Sequence, residues 1–235
     1  MIELLNNITH KDLRIITRRG AQWGDDRMSA PVTLQEFRRL QADYPIIFQQ
    51  DEKGAFIPVV LFGLESGENL FLNDSGWDAE YIPLAMQRQP FSIGVQGDEM
   101  RIMVEMESKR ISQGPDGEAV FLPHGGTTDY IEEINSILSA LHEGLQQVPD
   151  FIQTLQANDL LESFVLDVER PDGAHSQLLG YYMINEEKLA ALSGETVGLL
   201  HEAGHLQNIY MSIASLSNLS KLIRWKLARE YPNHA

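Results

Sequence analysis

Cysteine is missing from all 235 residues. That excludes a disulfide framework, a thiol nucleophile and a thiolate metal site. Basic residues are scarce: 18 Lys and Arg stand against 34 Asp and Glu, a formal net charge of −16. A surface so acidic offers no positive footprint, so neither nucleic acid nor an anionic membrane is expected as a partner. The longest apolar run, Ile57 to Leu64, falls far short of the roughly 20 residues that span a bilayer. Met1 to Asn6 carries no basic stretch ahead of an apolar one, so no signal peptide is expected. No G-x-S-x-G elbow, Walker loop or dinucleotide fingerprint occurs, and those enzyme classes have no support. The expectation is a soluble, acidic, cytoplasmic protein without membrane insertion.

What is present suits a folded chain: 43% hydrophobic and 22% charged residues are ordinary for a globular domain, here a single one over 1–235. The basic segments Arg14 to Arg27 and Lys221 to Arg229 are expected to be solvated. Short strands are expected at Leu13–Ile16, Ile46–Gln49, Phe56–Leu64 and Leu70–Leu72. Hairpins are expected around Gly97-Asp98 and Arg170-Pro171-Asp172-Gly173. Thr33 with Glu36 spells a capping box for a helix through Asp43. Asp129 caps a helix striped by Ile131, Ile134, Ile137, Leu138 and Leu141, and Pro149 starts a shorter one. Glu195 to Glu230 makes a long amphipathic helix, with Leu206, Ile209, Tyr210 and Ile213 in the stripe and His201, His205, Asn208 and Ser212 at its polar border. Strands early and helices late give α+β: an antiparallel sheet mainly from the N-terminal half, packed on helices from the C-terminal half.

The motif that names a chemistry is His201-Glu202-Ala203-Gly204-His205. On one helix, histidines at i and i+4 share a face and can hold zinc while Glu202 acts as general base. A catalytic zinc needs a third protein ligand, and only Glu230 and His234 follow as candidates. His10-Lys11-Asp12 matches half of an iron facial triad but reads better as a polar segment entering a strand. His124-Gly125-Gly126 ahead of Asp129 suggests a loop rather than an anion site. The segment Gly67 to Phe91 combines amides, carboxylates, aromatics and a cation. Asn69, Asp74, Trp77, Tyr81 and Arg88 are its expected ligand-binding residues, suited to a peptide or small polar molecule.

Three blocks carry a resemblance: Pro31-Val32-Thr33-Leu34-Gln35-Glu36-Phe37 with Tyr44-Pro45-Ile46-Ile47-Phe48; Gly67-Glu68-Asn69-Leu70-Phe71 with Gly76-Trp77, Tyr81-Ile82-Pro83 and Gln89-Pro90-Phe91; and Leu179-Gly180-Tyr181-Tyr182 with Asn185 to Leu189. Together they resemble the SapC-like bacterial proteins over nearly the whole chain. The resemblance implies an accessory or binding role for a peptide or nutrient, linked to outer-membrane uptake or modification systems. It supplies no catalytic residues to carry over. The family pattern has a glycine at Gly204 with apolar neighbours, so the histidine spelling looks local to this sequence. The alternatives are a zinc metallopeptidase and a scaffold subunit that forms a homodimer or pairs with a partner protein through the C-terminal helix.

Overall fold

The computed structural model describes residues 1–96, 99–169 and 175–232. Both predicted turns, Gly97-Asp98 and Arg170 to Gly173, and the tail histidine His234 lie outside them. In chain order come β1 (Ile2–Leu4), β2 (Arg14–Ile15), a 3-10 turn at Ala21–Trp23, β3 (Ser29–Pro31) and a 3-10 turn at Leu34–Glu36. Next are α1 (Phe37–Leu40), β4 (Ile46–Gln50), β5 (Phe56–Leu61), β6 (Leu72–Asn73), β7 (Gly76–Trp77), α2 (Leu84–Gln87), β8 (Phe91–Gln96) and β9 (Glu99–Glu105). After β10 (Glu118–Ala119) follow α3 (Asp129–Ala157), β11 (Leu161–Glu169), β12 (His175–Ile184) and α4 (Glu186–Ala190). The chain closes with α5 (Gly194–Glu202), α6 (His205–Ser215) and α7 (Asn218–Glu230). Every described ladder is antiparallel, and the class is α+β.

Two compact units interleave in sequence. The first takes residues 1–26, 71–78 and 82–143; the second takes 27–70, 79–81 and 144–235. In the first, β1, β9 and β8 form a sheet, with Phe91 opposite Val104. Its core joins Leu13, Ile15, Phe91, Val104 and Val120 to the expected stripe of α3, Ile131 through Leu141. The cap of α3 is Thr128 rather than Asp129. The Thr128 hydroxyl accepts from the Ile131 N–H at 3.4 Å and donates to the Ala119 carbonyl at 2.7 Å. Tying the cap to β10 fixes where the helix starts.

The second unit is built on the sheet β11-β12-β4-β5-β3. Ile46, Ile47 and Phe48 face Val60, Val59 and Pro58 in register, and all six are buried. The Thr33 box forms: the Glu36 carboxylate accepts from the Thr33 N–H at 2.9 Å and its hydroxyl at 3.0 Å. Its helix is short, a 3-10 turn running into α1 and ending at Leu40. In contrast to the expected restart at Pro149, α3 runs straight through it. Proline inside a helix costs about 3 kcal/mol. Burial of Val148, Phe151, Ile152 and Leu155, at roughly 1.5–3 kcal/mol each, outweighs that.

The C-terminal helical segment over 205–230 is present, with Leu216-Ser217 between α6 and α7. Its inward face differs from the apolar stripe. His205, Ile209, Ser212 and Ser215 point inward, while Leu199 and Tyr210 stand 61% and 56% exposed. The serines explain the turn of the helix. Ser212 donates to the Ile46 carbonyl at 2.9 Å, and Ser215 accepts from the Ile46 N–H at 2.8 Å. Leaving both polar groups of Ile46 unpaired would cost about 1–3 kcal/mol each, together at least the roughly 1.5–3 kcal/mol that burying one large side chain contributes.

Candidate functional site

The five expected ligand residues divide between the units. Asn69 and Tyr81 belong to the second and turn inward, 5% and 8% exposed. The Tyr81 hydroxyl donates to Glu36 Oε1 at 3.1 Å, and its carbonyl accepts from the Tyr44 hydroxyl at 2.8 Å. Burial, then the negative Glu36, pushes the Tyr81 phenol above its ordinary range. The Arg39 guanidinium covers the ring, 4.2 Å from its centroid. The Asn69 and Leu70 carbonyls accept from Arg229 at 3.3 and 2.6 Å.

Asp74, Trp77 and Arg88 belong to the first unit. The β6–β7 turn closes through the Asn73 side chain, which accepts from the Ser75 N–H at 2.9 Å, and through Gly76 at φ 117°. Asp74 is thereby set at an exposed tip. Behind it Trp77 stacks on Phe71 at 6.5 Å. A second tryptophan faces the same space. Gly20 and the left-handed Gly24 bracket the 3-10 turn that carries Trp23, and Arg18 lies over its ring at 5.9 Å. Together Arg18, Arg19, Trp23, Asp74, Trp77 and Ile82 line a cleft of about 500 Å3. Arg88 is not in its wall; its guanidinium donates to the Phe91 carbonyl at 2.5 Å.

Beside the cleft lies a cluster that sequence reasoning did not anticipate. Asp25 is fully buried. It accepts from Arg110 Nη2 at 2.6 Å, from the Gly20 N–H at 2.9 Å and from Arg19 Nη1 at 3.4 Å. Arg110, 1% exposed, also donates to the Ile16 and Arg18 carbonyls at 2.9 and 3.1 Å. Its Nε has no partner. Burial, then the neighbouring Arg110 charge, lowers the pKa of Arg19. A further cavity of about 440 Å3 opens here, sharing Thr17 and Arg19 with the tryptophan cleft. The segment Arg14 to Arg27 is therefore not simply solvated. Its partner Arg110 is 85 residues from Asp25, a distance that no local pattern bridges.

The histidine motif straddles a helix break. α5 ends at Glu202, Gly204 is left-handed at φ 75°, and α6 begins at His205. His201 and His205 thus stand on two helices, and the shared face of an unbroken i, i+4 turn does not form. His201 and Glu202 are exposed. His205 is buried, edge-on to Phe151 at 5.3 Å, with Nε2 3.6 Å from Asp150 and Nδ1 unpartnered. It borders a cavity of about 690 Å3 with Arg38, Asp150, Gln207 and Asn208. Among the described residues no three His, Asp or Glu side chains gather as a metal-holding group. His10 is buried in its own turn, Nδ1 accepting from the Asn6 N–H at 3.2 Å, while Asp12 is exposed beside Lys11.

No helix among the described residues is long and apolar enough to cross a membrane. No curated protein and no solved structure matches the chain. The SapC family does match, over residues 5–222. Covering nearly the whole sequence, that match establishes that this chain belongs to the SapC family.

Proposed function

We propose that this protein is a non-catalytic accessory that binds a peptide or small polar nutrient, in the cytoplasm, in support of an outer-membrane uptake or modification system. The observation that carries the reading is the cleft walled by Trp23 and Trp77 and edged by Arg18, Arg19 and Asp74. Two large aromatic faces supply contact area at low entropic cost, and the charged edge supplies orientation. A zinc peptidase using His201, Glu202 and His205 is the rival, and it draws no support from a motif broken by Gly204. A homodimer or scaffold contact through the C-terminal helices has the exposed Leu199 and Tyr210 in its favour.

The test is tryptophan fluorescence titrated with a panel of di- and tripeptides. Two of the three tryptophans line the cleft, so binding is expected to change the emission. Truncating an aromatic anchor, Trp77→Leu, is expected to weaken binding about tenfold or more. Because Trp77 also packs on Phe71, Trp23→Leu is the second variant, expected to weaken binding in the same way from the other wall of the cleft. A panel that changes no emission in the parent chain refutes the role.

A further inference from the structure

The cavity beside the tryptophan cleft is lined by groups of both charge signs, the cations largely buried and the carboxylates exposed. The cations are Arg19 and Arg110, which share one buried carboxylate, Asp25. Counting formal charges, two guanidiniums against one carboxylate leave an excess of one positive charge. The exposed carboxylates are those of Glu118, Asp129 and Glu133. One of these has a reason in the fold. Asp129 stands in the first turn of α3, where negative charge suits the helix dipole. Glu133 lies beyond that turn and Glu118 is on β10, so neither has such a reason.

We propose that the ligand is a zwitterion, a free amino acid or very short peptide, whose carboxylate meets Arg19 and whose ammonium meets Glu118, Asp129 and Glu133. This rests on the binding role proposed above and names its ligand class. Three observations support it. The Arg110 Nε is an unpartnered donor on a side chain almost wholly buried against the cavity. Both hydrogen bonds of Arg19 leave from Nη1, to Asp25 and to the Met86 carbonyl. The remaining edge of its fork suits the planar, bidentate grip a carboxylate offers. The Tyr130 hydroxyl is within electrostatic reach of both arginines and of Glu118 and Glu133, and burial keeps it a neutral donor. A volume of about 440 Å3 lies at the small end of ligand pockets, which suits one or two residues rather than a folded partner. Because Arg19 also lines the tryptophan cleft, a ligand held by its carboxylate there can lay its side chain against Trp23 and Trp77.

The test uses the full chain and three probes by calorimetry: dialanine, N-acetyl-dialanine and dialanine amide. Dialanine is expected to bind, and each cap to weaken binding about tenfold or more by removing one charged end. Glu133→Gln, an exposed position that leaves the buried cluster untouched, is expected to weaken dialanine several-fold and leave N-acetyl-dialanine unchanged. Equal affinity for free and capped forms overturns the zwitterion. If the capped forms also quench tryptophan emission, the binding role survives that failure. If none of the three binds while other panel members quench, the same two caps are placed on a member that quenches, and equal quenching by its free and capped forms makes the zwitterion fall alone. If nothing in the panel binds, both fall.

Discussion

Lys226 is the residue whose behaviour is most sharply set by its surroundings. It is buried on α7, and its ammonium contacts Glu230, Glu68 and Glu65 at 2.9, 3.0 and 3.3 Å. A segment expected to be solvated therefore holds a caged cation. Burial, the largest influence, pulls its pKa down, and the three carboxylates more than reverse this, so it stands above the ordinary lysine value. A group raised on folding contributes fully below its unfolded pKa, about 10.4, and loses that contribution as pH climbs through the folded value. Lys226→Met leaves three carboxylates facing one another, with an expected cost of about 2–3 kcal/mol at pH 7, tempered by their partial exposure. Guanidinium denaturation at intervals from pH 8 to pH 11.5 checks both points. The gap between parent and variant should hold to about pH 10 and then close; a gap independent of pH would contradict the assignment. Neighbouring pairs such as Thr33 with Glu36 were legible in the sequence because the chain itself brings them together. Lys226 with Glu68, like Asp25 with Arg110, was not, since only the finished fold joins them.

Among the elements, α3 was legible on one side and misjudged at one point. Its apolar stripe was readable because burial there is purely hydrophobic. Its continuity through Pro149 was not, because the packing that overrides proline comes from elsewhere in the chain. Gly144 gives that helix a testable site. A Cβ there would lie 2.6 Å from Thr33 Cγ2 and 2.7 Å from Thr33 Cβ. Glycine to alanine in an open helix gains about 1 kcal/mol. Here overpacking, typically about 1–3 kcal/mol, opposes it, and Thr33 is held by its Glu36 bonds. Gly144→Ala is expected to lower stability by about 1 kcal/mol or more, read as a drop in denaturation midpoint; a rise would show that Thr33 yields. For α6 the reverse lesson holds. The periodicity of apolar residues misplaced its inner face because two serine hydroxyls, satisfying both polar groups of Ile46, outrank one tyrosine. The tryptophan cleft was half legible: Asp74 and Trp77 came from one conspicuous block, whereas Trp23 and Arg19 sit in a stretch without periodicity.

For the molecule as a whole, the governing fact is the interleaving of its two units. The chain passes between them at 26/27, 70/71, 78/79, 81/82 and 143/144, so neither is a continuous segment. The tempting cut at Gly144 yields β11, β12 and the last four helices without β4, the strand on which β12 pairs through Tyr181 and Tyr182. Residues 144–235 expressed alone are expected to lack a cooperative unfolding transition by circular dichroism. A folded fragment would mean that the missing strands are dispensable. The net charge of −16 also predicts no measurable retention on DNA or on vesicles of anionic lipid at physiological salt.

Interleaving also sets a schedule for synthesis. The hairpin of β4 and β5, whose Ile46, Ile47, Phe48, Val59, Val60 and Leu61 end up fully buried, leaves the ribosome long before its neighbour β12, which begins at His175. At ordinary elongation rates the nascent chain carries that apolar ribbon uncovered for on the order of ten seconds. Unpaired edges of this kind invite association with other chains. Slow codons placed between positions 61 and 175 would lengthen the wait and lower the soluble yield without altering a single side chain.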